Sequence, residues 1–301
     1  MNALNCMARH VALSRKRRAV PSFLDPLGGR TTYVVGRGVL ITLACGVTVA
    51  SIAQTQPPTP TRDWEGAIGL LASNSQAYAG ADERKSKLLP GFYLRYGRLS
   101  MTNAGGFITR NNEEVVRGLG LDLSPRSNLK LSLALRFDGG RRESTSGALQ
   151  GLGGVRATVR TRLAARWLVD EHWRVGGAWS IDALRRGGGH FGELSLSRDQ
   201  RWSPSTTWTA GVATTLTSAR YMQSYFGITP EQAARTHYTL YQPGAGVRDA
   251  TVFANLRSQI APRWVLLAGT SATRLLGPAA DSPLTFKRSG LAINGGLAWT
   301  F

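Results

Sequence analysis

The chain has 301 residues, 37 of them basic and 18 acidic, for a formal charge of +19, and it carries 35 glycines. Both cysteines, Cys6 and Cys45, lie near the N-terminus, which excludes a disulfide framework or a Cys-ligated metal site in the rest. So large a positive charge suggests nucleic acid or an anionic surface, but the basic residues are spread along the chain and several recur at every second position, which argues against a nucleic-acid patch.

The first 53 residues read as a secretory signal peptide with an extended basic start. Arg15, Lys16, Arg17, Arg18, Arg30 and Arg37 precede an apolar run over residues 39–53, and Ser51-Ile52-Ala53 fits a small-x-small cleavage site before Gln54. Removing that segment leaves a chain that is still strongly positive. Residues 54–62, with Pro57, Pro58 and Pro60, read as an extended linker. Beyond them no stretch approaches the roughly 20 apolar residues of a spanning helix.

From residue 63 onward the sequence alternates. A strand sends successive side chains to opposite faces, so strict alternation marks a strand with one apolar face. About twelve such segments are expected, over residues 64–73, 88–98, 99–109, 115–123, 129–138, 155–169, 172–181, 191–199, 206–217, 247–259, 263–274 and 289–301. No long helix is expected. The clearest segment sets Leu129, Leu131, Leu133, Leu135 and Phe137 against Lys130, Ser132, Ala134, Arg136 and Asp138.

Connections 74–87, 110–114, 139–154, 182–190, 218–246 and 275–288 alternate with short ones at 97–100, 124–128, 170–171, 200–205 and 261–262. Most of the long ones therefore fall on one side. Long outer loops and short periplasmic turns are the outer-membrane barrel pattern. Trp64, Trp167, Trp173, Trp202, Trp208, Trp264 and Trp299 all fall near expected short-turn strand ends, as an aromatic girdle would. The fold class is thus a single transmembrane antiparallel up-and-down β-barrel of about twelve strands, exported by the signal peptide to the cell outer membrane of a Gram-negative envelope.

The last strand alternates to the final residue. Leu291, Ile293, Leu297, Trp299 and Phe301 form its apolar face. Leu297, Trp299 and Phe301 are read as the assembly signal for the barrel-insertion machinery, and outer-membrane lipid as the neighbour of the apolar face.

A charge on that face would cost roughly 2–4 kcal/mol at mid-bilayer for Arg or Lys. The other parity is therefore assigned to the lumen: Lys130, Arg136, Arg156, Arg160, Arg162, Arg166, Arg174 and Arg257, with Glu65, Asp122, Asp138, Asp182, Glu193 and Asp199. Asp138 and Asp182 are the expected counter-charges of the arginine row on the sixth strand. Two outcomes stay open: a salt-bridge ladder that fills a narrow barrel, or a basic lining that favours anionic solutes.

No catalytic motif is evident. His10, His172, His190 and His237 have no metal-ligand spacing, and no phosphate-cradling glycine loop sits between a strand and a helix. Gly151-Leu152-Gly153-Gly154 and Gly187-Gly188-Gly189 read as flexible loops. A barrel lipase using His190 with Ser195 or Ser197 is a minor alternative. No cofactor is called for.

Three stretches resemble a known family. They are Arg220-Tyr221-Met222-Gln223-Ser224-Tyr225-Phe226-Gly227-Ile228-Thr229, Tyr241-Gln242-Pro243-Gly244-Ala245-Gly246-Val247-Arg248-Asp249 and Ala280-Asp281-Ser282-Pro283-Leu284. With Leu89-Pro90 and the aromatic terminus, they are similar to the MltA-interacting protein (MipA)/OmpV family of outer-membrane proteins, over about residues 64–301. The resemblance implies an outer-membrane barrel and, for some members, a scaffold between a murein-cleaving transglycosylase and a murein synthase. A small passive channel is the alternative function.

Overall fold

The computed structural model describes residues 64–103, 117–124 and 128–301. Within them twelve strands form one closed antiparallel barrel, each paired with its neighbours in sequence and the first with the last. They are β1 (Trp64–Gln76), β2 (Arg84–Tyr96), β3 (Leu99–Thr102), β4 (Gly118–Asp122), β5 (Leu129–Asp138), β6 (Thr158–Leu168), β7 (Trp173–Asp182), β8 (His190–Ser203), β9 (Thr206–Thr217), β10 (Gly246–Ala261), β11 (Trp264–Leu275) and β12 (Ser289–Thr300). The number and topology agree with the alternation. The expected signal peptide and linker lie outside the described residues, as do the far ends of the third and fourth expected strands.

Strand phase follows the pattern. Leu133, Leu135 and Phe137 are exposed on the outside of β5, while Ala134, Arg136 and Asp138 between them turn inward. Leu163, Leu194, Val212, Val252 and Leu291 continue the outer apolar band on other strands. In water such a surface would be untenable, and in lipid it is favourable. The tryptophans expected as a girdle lie near the short-turn ends of their strands, with Trp64 against Tyr96 at 4.8 Å.

Among the described residues the long connections lie at the other end, and two of them carry α-helices that alternation does not reveal: α1 (Ala219–Phe226) and α2 (Pro230–Arg235) between β9 and β10, and α3 (Gly277–Ala280) between β11 and β12. Ser218 caps α1 by accepting from the Tyr221 N–H. Thr229 and Gln232 form a capping box on α2, with Pro230 at its first turn.

The sixth strand is shorter than expected at its start. Val155 bridges Arg141 across the loop instead of continuing the ladder. Gly140 makes this approach possible, with φ +69° and no room for a side chain, since a Cβ there would lie 2.0 Å from the Val155 carbonyl oxygen.

At the seam β1 and β12 run in register from Ala67 opposite Thr300 to Asn74 opposite Ile293. The Phe301 N–H donates to the Gly66 carbonyl at 3.0 Å, and Gly66 donates back at 3.3 Å. The Phe301 ring covers Gly66, where a Cβ would lie 2.3 Å from the ring. The glycine is what allows the terminal aromatic to lie flat on the first strand.

Candidate functional site: the arginine wall and the cap

The basic lumen wall comes from β5 to β8. On β6 the side chains of Arg160, Arg162 and Arg166 share the inward parity, because Thr161, Leu163 and Trp167 occupy the other. Register places Arg136 opposite Arg160 and Lys130 opposite Arg166, like charges face to face on neighbouring strands. Such pairs destabilise unless counter-charges stand beside them.

At the first of these pairs the counter-charge is present. Arg160, only 1% exposed, donates through Nε to Asp138 Oδ2 at 2.5 Å. Its two terminal nitrogens donate to the carbonyls of Gly189 and Gly188, each at 3.0 Å. Asp182, opposite Arg160 on β7, accepts from the Thr158 hydroxyl and from the Gly188 N–H at 2.8 Å. Asp182 thereby fixes the glycine turn whose carbonyls receive Arg160. The Gly187–Gly189 segment is therefore an ordered receptor for a buried guanidinium, where a flexible loop was expected.

Two further pairs cross the wall. Arg162 bonds Glu193, spanning β7 to reach β8. Arg174 bonds Asp199, which also accepts from the Thr209 hydroxyl at 2.6 Å. Lys130, Arg136 and Arg257 keep inward positions on their strands. Arg156 does not belong to this wall. It precedes β6 in the loop, exposed, beside a recess of about 430 Å³ that also takes in Arg141, Arg142 and Phe137. The reason is the Arg141–Val155 bridge, which ends the strand phase before Arg156 is reached.

Above the wall sits the cap, and sequence reasoning missed its anchors. Tyr221 of α1 packs edge-on against the inward-facing Phe191 at 5.4 Å and stacks on Tyr225 at 4.6 Å. The Arg160 guanidinium lies 5.1 Å from the Phe191 ring and 5.8 Å from the Tyr221 ring. Arg248 donates to the Tyr221 hydroxyl at 2.7 Å and to Asp249 at 2.5 Å. It can do so because a bulge between Val247 and Asp249 adds one residue to β10 and turns both side chains inward. Arg141 donates to the Tyr225 carbonyl at 2.6 Å, and the buried Ser282 to the Phe226 carbonyl at 2.6 Å.

Leu149, Leu152, Ile228, Tyr238 and Leu284, drawn from three loops, form a small core of their own, with Tyr78 from a fourth packed against it. The Tyr78 phenol is pushed up to about 12, first by burial and then by the neighbouring Tyr238. Tyr225 is likewise pushed up to about 12 by burial and by Asp138.

His190 and the serines of the lipase alternative are not brought together. His190 stands on the outward parity of β8 against Trp179, whereas Ser195 and Ser197 point inward.

The family model described as MltA-interacting protein MipA matches residues 68–301. The chain belongs to the MipA family. The three stretches that carried the resemblance fall on the cap and its anchors: Tyr221 and Tyr225 in the first, Arg248 and Asp249 in the second, Ser282 and Leu284 in the third. No curated protein matches the sequence. Among solved structures, the KdgM porin in complex with disordered oligogalacturonate is 10% identical, with TM-score 0.37, 78% of this chain covered and 99% of that one. The CymD monoaromatic hydrocarbon channel is 11% identical, with TM-score 0.37 and 79% and 88% covered. An OmpT loop-deletion mutant of Vibrio cholerae is 8% identical, with TM-score 0.37 and 79% and 98% covered. At such identities the likeness says nothing of solute or partner.

Proposed function

We propose that this MipA-family barrel is a non-enzymatic structural or scaffolding protein of the outer membrane rather than a solute pore. It meets a murein transglycosylase, and through it murein synthesis, at the end that carries the short turns. Export by the leader at residues 1–53 and insertion guided by Leu297, Trp299 and Phe301 belong to the same reading.

The observation that carries it is the state of Arg160. A guanidinium meant to attract passing anions should face water, yet this one is buried, bonded to Asp138 and two carbonyls, and lies against the rings of Phe191 and Tyr221. The row on β6 thus supports the wall and the cap. The family description, MltA-interacting protein, supports the partner class.

A pull-down of the tagged barrel from outer-membrane extract should capture a murein transglycosylase, and planar bilayers containing the barrel should show no steady conductance. Steady anion-selective conductance without enzyme capture would overturn the reading in favour of a small channel. One feature favours that second reading. On the opposite wall Asn255, Gly269 and Asn294 lie side by side across β10, β11 and β12, and the inward-facing Asn294 is exposed.

A further inference from the structure

Charge is segregated between the two faces of the barrel wall. Every carboxylate on a described strand, namely Glu65, Asp122, Asp138, Asp182, Glu193, Asp199 and Asp249, has the inward parity. Three cations stand on the outward parity instead. Arg198 is near the short-turn end of β8, where it lies over Trp173 at 5.8 Å. Arg84 and Arg274 are both at the long-loop end, beside the closing seam.

Arg84 is held in place. Its Nε donates to Asn74 Oδ1 at 2.8 Å and its Nη1 to the Leu291 carbonyl at 2.8 Å, so the side chain reaches from β2 across β1 to β12. Leu291 is opposite Ala272 on β11, and Arg274 lies two residues further up the same face. One strand spacing and two residues of rise separate these positions by roughly 8 Å. Arg274 is exposed, and no hydrogen bond or ion pair engages its side chain among the described residues. Immediately below lie Leu88, Leu70, Leu291 and Ile293, exposed members of the apolar band.

Two guanidinium groups at the top edge of a lipid-facing surface, with no carboxylate on that face among the described strands, call for anions from outside the protein. At that height the anions within reach are those of the lipid headgroups. We infer that Arg84 and Arg274 form a docking site on the outer wall for the phosphate groups of the lipid in the leaflet at the long-loop end. In the outer membrane this is a phosphorylated glucosamine lipid of the lipid A type. The planar fork of Arg suits phosphate, and the apolar band beneath receives the acyl chains. The identity of the lipid rests on the outer-membrane location proposed above, whereas the anion site rests only on the wall.

The test is native mass spectrometry of the full chain in non-ionic detergent, with diphosphoryl lipid A as the probe and its dephosphorylated form and inorganic phosphate as comparisons. Retention of the diphosphoryl lipid is expected, at least tenfold weaker for the R84Q/R274Q variant and unchanged for R198Q. Because Arg84 also ties strands together, R274Q alone is included; it breaks no hydrogen bond of the fold and should still weaken retention several-fold. Equal retention by wild type and R274Q, or by the two lipid forms, would overturn the site. Displacement of the lipid by equimolar inorganic phosphate would overturn the lipid assignment. Cell fractionation tests the outer-membrane location separately, since the detergent measurement does not depend on it.

Discussion

Across the lumen from the arginine wall, the seam strands present an entirely different surface. Where β6 offers Arg160, Arg162 and Arg166, strands β1, β2, β11 and β12 offer Ala67, Tyr93, Val265, Leu267 and Ala298, with Leu71 packed against them. Glycines make the fit on this side: a Cβ on Gly296 would meet the Leu71 side chain at 2.3 Å. One wall is held by paired charges that also secure the cap, the other by small residues that admit large ones. The two respond to substitution in opposite ways. An apolar contact loses its own area when trimmed, whereas a buried charge pair loses far more when one partner goes than the pair contributes as a whole.

The largest expected effect follows from that asymmetry. Asp138→Ala leaves Arg160 buried without its carboxylate and should cost about 3–5 kcal/mol. Replacing both, as in D138L/R160L, should cost clearly less, because no charge is stranded. Urea unfolding in detergent, followed by loss of heat-modifiable mobility, measures both. Equal costs for the single and the double variant would show that the pair is not the element holding this wall.

Next comes the cap. Tyr221→Ala removes the ring between Phe191 and Tyr225 and the hydroxyl that Arg248 holds, and should weaken cap docking by about 3 kcal/mol. The barrel itself should stay folded, since the β-ladders are untouched. Tyr221→Phe, which loses only the Arg248 bond, should cost about 1–2 kcal/mol. Bilayer recordings separate the cases: openings in Y221A that are absent in the parent would identify the cap as the plug, and silence in both would place the block in the wall below it.

How much of this was legible depends on the kind of interaction. Parity along β5 and β6 was readable because the middle of the bilayer disfavours a guanidinium, so Leu133 and Arg162 could face only one way each. The number of strands followed from the same rule. The cap was not readable, because Tyr221 and Arg141 come from two separate connections and Arg248 from a bulge in β10, and their meeting depends on loop geometry. Only the resemblance of the stretches around Tyr221, Arg248 and Ser282 to a family marked them as special. Arg156 was misplaced for a related reason. Alternation continues through residues 155–157, but the Arg141–Val155 bridge ends the barrel ladder at Thr158.

The seam should respond more modestly in stability. Phe301 is 46% exposed, so replacing it with Ser removes only the ring face that covers Gly66 and lies 5.5 Å from Trp299. A loss of about 1–2 kcal/mol is expected. The effect on insertion should exceed the effect on stability if the terminal aromatic is read during assembly. Quantifying barrel in the outer membrane beside its urea midpoint distinguishes the two, and normal abundance of F301S would rule out the assembly role.

The smallest effect under ordinary conditions is a dependence of the cap on alkaline pH, and its sign is fixed by two partly buried phenols. Burial holds Tyr225 and Tyr78 in the neutral form up to about pH 12, against an ordinary value of 10. When the cap undocks, both side chains meet water and ionise near their ordinary value. Below pH 10 both states carry the proton and the cap keeps its full stability. Between about pH 10 and 12 the undocked state gives up protons that the docked state retains, so docking weakens steadily as pH rises. The strands have no part in this equilibrium, so the cap should loosen while the barrel stays intact. Limited proteolysis within the loop joining β9 to β10 should accelerate across that window, and Tyr225→Phe should blunt the change because Phe has no proton to lose. Phenolate absorbance that appears for every tyrosine at the ordinary value while the loop is still protected would show that Tyr225 and Tyr78 are in water, and that the cap is not the packed unit described.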